Sequence, residues 1–129
     1  MKRIQIMIPD AIEAARNNLV ENGKIKNEFN GYISSFGASI ISAGLLPSII
    51  FYSQKGESAE RNKIITSIEF ILQKHGYPQD FNLLNRVKAL YTGMTNQPEI
   101  DRLTDRIFDA AIALKLAIRT FPKLKKGQS

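Results

Sequence analysis

The sequence predicts an all-α protein, a compact single-domain bundle of five to six helices. Apolar residues recur three and four apart in segment after segment, and Gly, Pro, Asn and Asp stand between those segments where helices start and stop. With 129 residues there is room for one core. No alternating strand pattern, internal repeat or low-complexity linker is found apart from the short tail KLKKGQS. The expected division is a helical bundle domain over residues 1–122 and a basic C-terminal tail over 123–129.

The first helix is expected from Ala11 to Asn22, with Asp10 as its cap, Ala11, Ile12, Ala15, Leu19 and Val20 inward, and Gly23 ending it. A stretch without charge follows from Phe29 to Tyr52. Ile25, Phe29, Tyr32, Ile33, Phe36, Ile40 and Ala43 share one helical stripe, while Gly31, Ser34, Ala38 and Ser42 make the opposite side small. That combination predicts a central helix packed by neighbours nearly all round. Gly44 should stop it, and Leu45, Leu46 and Pro47 should form a turn and restart, since proline suits a first helical turn. The next helix runs through Ile49, Ile50, Phe51 and Tyr52 and ends near Gly56.

Ser58 is the expected cap of a helix reaching His75, with Glu60 in its first turn and Ile64, Ile65, Ile68, Ile71 and Leu72 as its stripe; Gly76 and Pro78 end it. Asp80 is the expected cap of the next, in which Leu83, Leu84, Val87, Leu90 and Tyr91 recur up to Gly93. Asn96 with Glu99 resembles a capping box, with Pro98 in the first turn. The final helix should run to about Phe121, burying Ile100, Leu103, Ile107, Ala111, Leu114, Ile118 and Phe121. Phe108, Ile112 and Leu116 form a second stripe on its other side. Either neighbours surround this helix or the second stripe meets another protein.

Lys plus Arg total 18 against 12 Asp plus Glu, a net charge of +6 and a pI near 9.7, which suits a polyanionic partner or simply a basic surface. Cysteine is absent, so disulfides, thiolate metal sites and a cysteine nucleophile are excluded; the composition suits a reducing cytoplasm. The N-terminal residues give no signal-peptide pattern. The 26 uncharged residues from Phe29 to Gln54 invite a membrane test and fail it, because Ser, Gly, Asn and Gln are scattered through them and Gly44 with Pro47 divides them.

Catalysis is not expected. His75, the only histidine, reads as a helix-end residue without the partners a general base or ligand needs. Asp101, Asp105 and Asp109 alternate with Arg102 and Arg106, which reads as a solvated ionic face and not a metal site. No phosphate loop, serine elbow or zinc-protease motif is present. Thus no catalytic residue, metal or cofactor is assigned.

The basic residues carry more information. Lys115, Arg119, Lys123, Lys125 and Lys126 follow one another with no acid among them, a strip suited to neutralising phosphates without reading bases, or else a free solvated tail. Lys24 and Lys26 are expected at the start of the central helix, where the helix dipole disfavours cations. Lys24, Lys26, Lys115, Arg119, Lys123 and Lys126 are therefore the candidate contacts to a phosphate backbone, which the resemblance given below implies to be RNA. Aromatic stacking is not expected, since Tyr32, Phe36 and Phe51 look buried and only Tyr52, Tyr77 and Tyr91 remain.

The run GYISSFGASIISAGLLPSIIFYSQKG, most specifically Tyr32, Ile40, Gly44, Leu45 and Phe51, resembles the small α-helical subunit of type III-B (Cmr) CRISPR effector complexes. The family's C-terminal tryptophan is missing, and LKLAIRTF from Leu114 to Phe121 is the nearest counterpart. The resemblance implies a non-catalytic subunit that stacks in copies of itself beside other Cmr subunits and contacts target RNA or the backbone of the guide–target duplex. The competing reading is a helical scaffold or dimerisation module using Phe108, Ile112 and Leu116, with no nucleic-acid contact. A helix-turn-helix DNA reader fits less well, because a recognition helix of Ile49, Ile50, Phe51 and Tyr52 has nothing to offer base edges.

Overall fold

The computed structural model describes residues 2–56, 60–93 and 96–124, apart from the side chain of Lys2. Among the described residues the order is α1 (Lys2–Asn18), β1 (Val20–Glu21), β2 (Lys24–Lys26), α2 (Glu28–Ala43), α3 (Leu45–Ser53), α4 (Asn62–Gln73), α5 (Leu83–Tyr91), α6 (Gln97–Ile118) and β3 (Lys123–Leu124). The expected helical bundle is present, with a three-stranded sheet that was not expected.

Alanines define its centre. Ala11, Ala14 and Ala15 of α1 and Ala110, Ala113 and Ala117 of α6 are buried, and these two helices make the most extensive contact in the fold. Side chains this small let two backbones approach closely. Arg3 pairs with Asp109, and the Arg16 guanidinium lies 6.0 Å from the centre of the Phe121 ring, so α1 and α6 run parallel with their C-termini at one end. Around this pair, α4 packs on both helices with Ile64, Ile68, Ile71 and Leu72 buried, α2 packs on α6 and α3, and α5 packs on α3.

The first helix begins at Lys2 and not at Ala11, so Pro9 lies inside it and Asp10 is not its cap. Proline in a helix interior costs roughly 3 kcal/mol. Burial of Met7 is worth roughly 1.5–3 kcal/mol, and Ile4 and Ile8 also pack on the core, so the continued stripe outweighs the missing N–H. Asp10 instead meets the imidazole Nε2 of His75 at 2.7 Å, tying the end of α4 to α1.

The helix also ends early, at Asn18. Asn22 and Gly23 take φ of 54° and 77°, the backbone of a two-residue hairpin turn, and pair Val20 with Ile25 and Glu21 with Lys24. The third strand returns from the other end of the sequence and lies parallel to β2, with Ile25 beside Lys123 and Lys26 beside Leu124. The Ile25 N–H donates to the Pro122 carbonyl at 2.9 Å. Lys24 and Lys26 therefore stand in a strand, not at the start of a helix, and the first two residues of the expected tail belong to the sheet. Residues 125–129 lie outside the described residues.

The second helix buries Phe29, Ile33, Phe36 and Ile40 of its predicted stripe, while Tyr32 is half-buried and Ala43, in the last turn, is exposed. It is not enclosed. Gly31, Ser34, Ala38 and Ser42 are exposed and Ile41 is 80% exposed, so the small face looks outward. Gly44 ends the helix as expected, but at φ 100° and ψ 165°, a region essentially confined to glycine, which turns the chain directly into α3. Further on, the expected Ser58 cap lies outside the described residues, and Glu60 precedes α4. The cap of α5 is Asn82 and not Asp80: its side chain accepts from the Asn85 N–H at 2.9 Å, while Glu69 of α4 accepts from the Leu83 N–H at 2.7 Å. Asn96 caps α6 as predicted, accepting from the Glu99 N–H at 3.3 Å. That helix ends at Ile118, before Phe121.

Two outcomes follow from these junctions. Gly44→Ala puts a Cβ where the backbone disfavours one, and is expected to cost about 1–3 kcal/mol in a denaturation experiment with the fold retained; a neutral result would show that the junction relaxes freely. Burial raises the Glu69 pKa above the ordinary carboxylate range, only partly opposed by the Leu83 N–H. The folded chain thus holds this proton more tightly than the unfolded one, and the group favours folding below the ordinary Glu pKa and loses that advantage as pH rises through its folded value. Glu69→Gln keeps an acceptor but no charge, so the variant should gain on the wild type as pH rises from about 4 to 7. A stability difference independent of pH would count against this account.

Candidate nucleic-acid interface

The parallel pairing of β2 with β3 joins two basic clusters that are distant in sequence. Neighbouring strands lie about 4.8 Å apart and successive side chains alternate in face, so Lys123 shares a face with its partner Ile25, while Lys24 and Lys26, which flank Ile25, point to the other. Ile25 is buried and anchors the strand, while Lys24 and Lys123 are exposed and make no ion pair among the described residues. The acidic neighbour is Glu21, opposite Lys24 in the hairpin. Arg119 is exposed at the C-terminal cap of α6, four residues before Lys123.

The other candidate cations are engaged. Lys26 donates from Nζ to Glu60 Oε2 at 2.9 Å, and Lys63 donates to the other carboxylate oxygen at 2.8 Å. These bonds hold the Glu60 pKa below its ordinary value, and the bond to Glu60 raises that of Lys26. Lys115 bends over α2 to donate to the Ser34 hydroxyl at 2.8 Å. It is thus separate from the sheet cations. Lys126 lies outside the described residues.

Aromatic placement differs from expectation in two positions. Phe51 is 52% exposed, whereas Tyr52 is buried and donates its hydroxyl to the Tyr32 carbonyl at 3.0 Å. Successive residues on a helix lie about 100° apart, and here the stripe passes through Tyr52. The Arg61 guanidinium sits between rings, 5.1 Å from the centre of Tyr32 and 5.2 Å from that of Phe51. Tyr77 is half-buried and packs against Phe81 with ring centres 4.8 Å apart and planes tilted by 50°; Tyr91 is exposed beside Leu46, Ile50 and Leu84.

A second surface lies where α2 meets α6. Phe108 of the second stripe is half-buried and rests against Gly37, 3.7 Å from where a Cβ would stand. Ile112 and Leu116 are 44% and 39% exposed. With Ala38 and Ile41 of α2 they leave apolar surface in water. The expected pairing of Asp101, Asp105 and Asp109 with Arg102 and Arg106 is not found among the described residues: Asp109 pairs with Arg3 of α1, Asp101 accepts from Gln97, and Arg102 pairs with Glu99. Among the described residues no cluster of acidic, histidine or cysteine side chains is placed to hold a metal, and no helix is long and apolar enough to cross a membrane.

The sequence model of the CRISPR-associated protein family Cas_Cmr5 matches residues 4–118, from the first turn of α1 to the last residue of α6. The chain belongs to that family. As a Cas_Cmr5 protein it is a small subunit of the type III-B Cmr system, and association with other Cmr subunits follows from the membership. The match covers Lys24, Lys26, Lys115 and the second stripe of α6 but stops before Arg119 and Lys123. No curated protein and no solved structure matches the chain.

Proposed function

We propose that this Cas_Cmr5 chain is a non-catalytic subunit that stacks with its neighbours in a cytoplasmic Cmr effector filament and contacts the target RNA backbone through basic residues. The observation that carries the reading is the three-stranded sheet, which brings exposed Lys24 and exposed Lys123 onto adjacent strands, their side chains on alternate faces, with Arg119 a short turn away. Flexible cations neutralise phosphates whatever the base sequence. That is sufficient where a guide RNA supplies specificity by base pairing. Lys26 serves mainly to brace the sheet through Glu60, and Lys115 contributes where its bond to Ser34 gives way to phosphate. Individually weak contacts add when several copies line one strand.

The surface of Ile41, Ile112 and Leu116 supports the stacking half of the reading. It lies on the flank formed by α2 and α6, whose exposed small residues let another backbone come close. A scaffold that never touches RNA would use the same surface, so the two halves need separate experiments.

Replacing Lys24, Arg119 and Lys123 together by alanine removes three phosphate contacts. The slope of log affinity against log salt for single-stranded RNA should become shallower by about 2. An unchanged slope in the assembled complex would leave the scaffold reading. Ile112→Asp paired with Leu116→Asp tests the other half. Both positions are exposed, and surface substitutions usually change stability by about 0.5 kcal/mol or less. The variant is therefore expected to fold and melt like the wild type but to drop out of the co-purified complex; retention at full stoichiometry would place the stacking contact elsewhere.

A further inference from the structure

We infer that Phe51 is a base-stacking platform, which takes an unpaired nucleobase of the RNA while the basic sheet holds the backbone; this rests on the RNA-contact reading above. Arg61 lies over one face of the ring at 5.2 Å, and Tyr52 meets it edge-on with centres 5.7 Å apart. The residue is nevertheless 52% exposed, so the remaining ring surface is open. An apolar ring of this size left in water at the end of a short helix is not explained by the core.

The setting is held in place from three elements. Tyr52 of α3 donates to the Tyr32 carbonyl of α2, Tyr32 donates its hydroxyl to Glu28 at 3.1 Å, and Arg61 at the start of α4 bridges the Tyr32 and Phe51 rings. A ring already fixed in position loses little freedom when a partner stacks on it. Charge favours a nucleotide over an apolar peptide. Arg61 and the Lys26–Glu60–Lys63 cluster are adjacent through the Glu60–Arg61 peptide bond, and exposed Lys55 follows in the chain, against the carboxylates of Glu60 and Glu28 and, by sequence, Glu57. Gln54 and Lys55 make the C-terminal side of Phe51 polar, whereas Ile50 on its N-terminal side is 44% exposed. Lys26, two residues from Lys24 in β2, links this cluster to the basic sheet through Glu60. Every base offers a π-face, and the platform reads no sequence.

The test uses the Cmr complex containing this chain, loaded with RNA carrying 4-thiouridine and irradiated, with cross-linked peptides mapped by mass. The expected result is a cross-link to the peptide holding Phe51 that disappears in Phe51→Ala and persists in Phe51→Tyr. For the full chain with single-stranded oligouridine, Phe51→Ala should weaken binding roughly five- to a hundred-fold while leaving the salt slope as it was, because no cation is removed. If neither cross-linking nor affinity responds to Phe51 while the Lys24, Arg119 and Lys123 variant still flattens the slope, the platform is refuted and backbone contact stands. Should neither set of changes matter, both readings fail together. Loss of the Phe51→Ala chain from the complex would make Phe51 a protein contact and overturn the platform.

Discussion

The parallel packing of α1 against α6 is the constraint on which the other features depend. Because Ala11, Ala14, Ala15, Ala110, Ala113 and Ala117 bring the two backbones close and in parallel, both helices end on the same side of the molecule. The hairpin that leaves α1 and the segment that leaves α6 therefore emerge together and pair as β2 and β3. The arrival of Lys24 and Lys123 on adjacent strands is a consequence of helix packing far from either residue. The hydrophobic anchor of Ile25 and the bond from its N–H to Pro122 hold the strands in register.

Much of the bundle was legible in the apolar periodicity. The buried faces of α2, α4, α5 and α6 and the breaks at Gly44, Gly76, Gly93 and Asn96 stand where spacing and capping chemistry place them. The strands were not legible as an alternation because they are only two and three residues long. The local signal was Asn22–Gly23 between Val20 and Ile25, a dipeptide that favours hairpins. Reading it also as the end of a helix concealed it. Pro9 had the reverse effect, since a residue that usually breaks helices was carried by the stripe through Met7 and Ala11. Asp10 and Asp80 are plausible caps in isolation, and lose the role to a longer α1 and to Asn82.

The candidate site was legible as charge but not as available charge. Lys26 is matched by Glu60, 34 residues away, and Lys115 by Ser34, 81 residues away, partners that no local pattern reveals. Side-chain direction was equally hidden at Phe51 and Tyr52. An apolar run shows that both belong near a core, but only the neighbours of α3 decide which of two adjacent rings turns inward. The same limit applies to α2. Gly31, Ser34, Ala38 and Ser42 mark a face built for close approach, and periodicity does not say whether the approaching backbone belongs to this chain or to another.

On the proposed reading, the stacking flank and the RNA-facing end are two parts of one rigid element. Ile112 and Leu116 lie on the side of α6 and Arg119 at its end, within two turns of one another. Lys123 follows in a strand hydrogen-bonded to the hairpin that α1 supports. A contact made through the flank therefore fixes the height and direction at which the cations meet a neighbouring strand, without a flexible linker between the two. Repetition of that contact from copy to copy sets the spacing of the cations along the RNA. The buried alanines of α1 and α6 then serve recognition as well as stability: any side chain that forced these helices apart would move β3 away from β2, and with it the register between protein packing and phosphate.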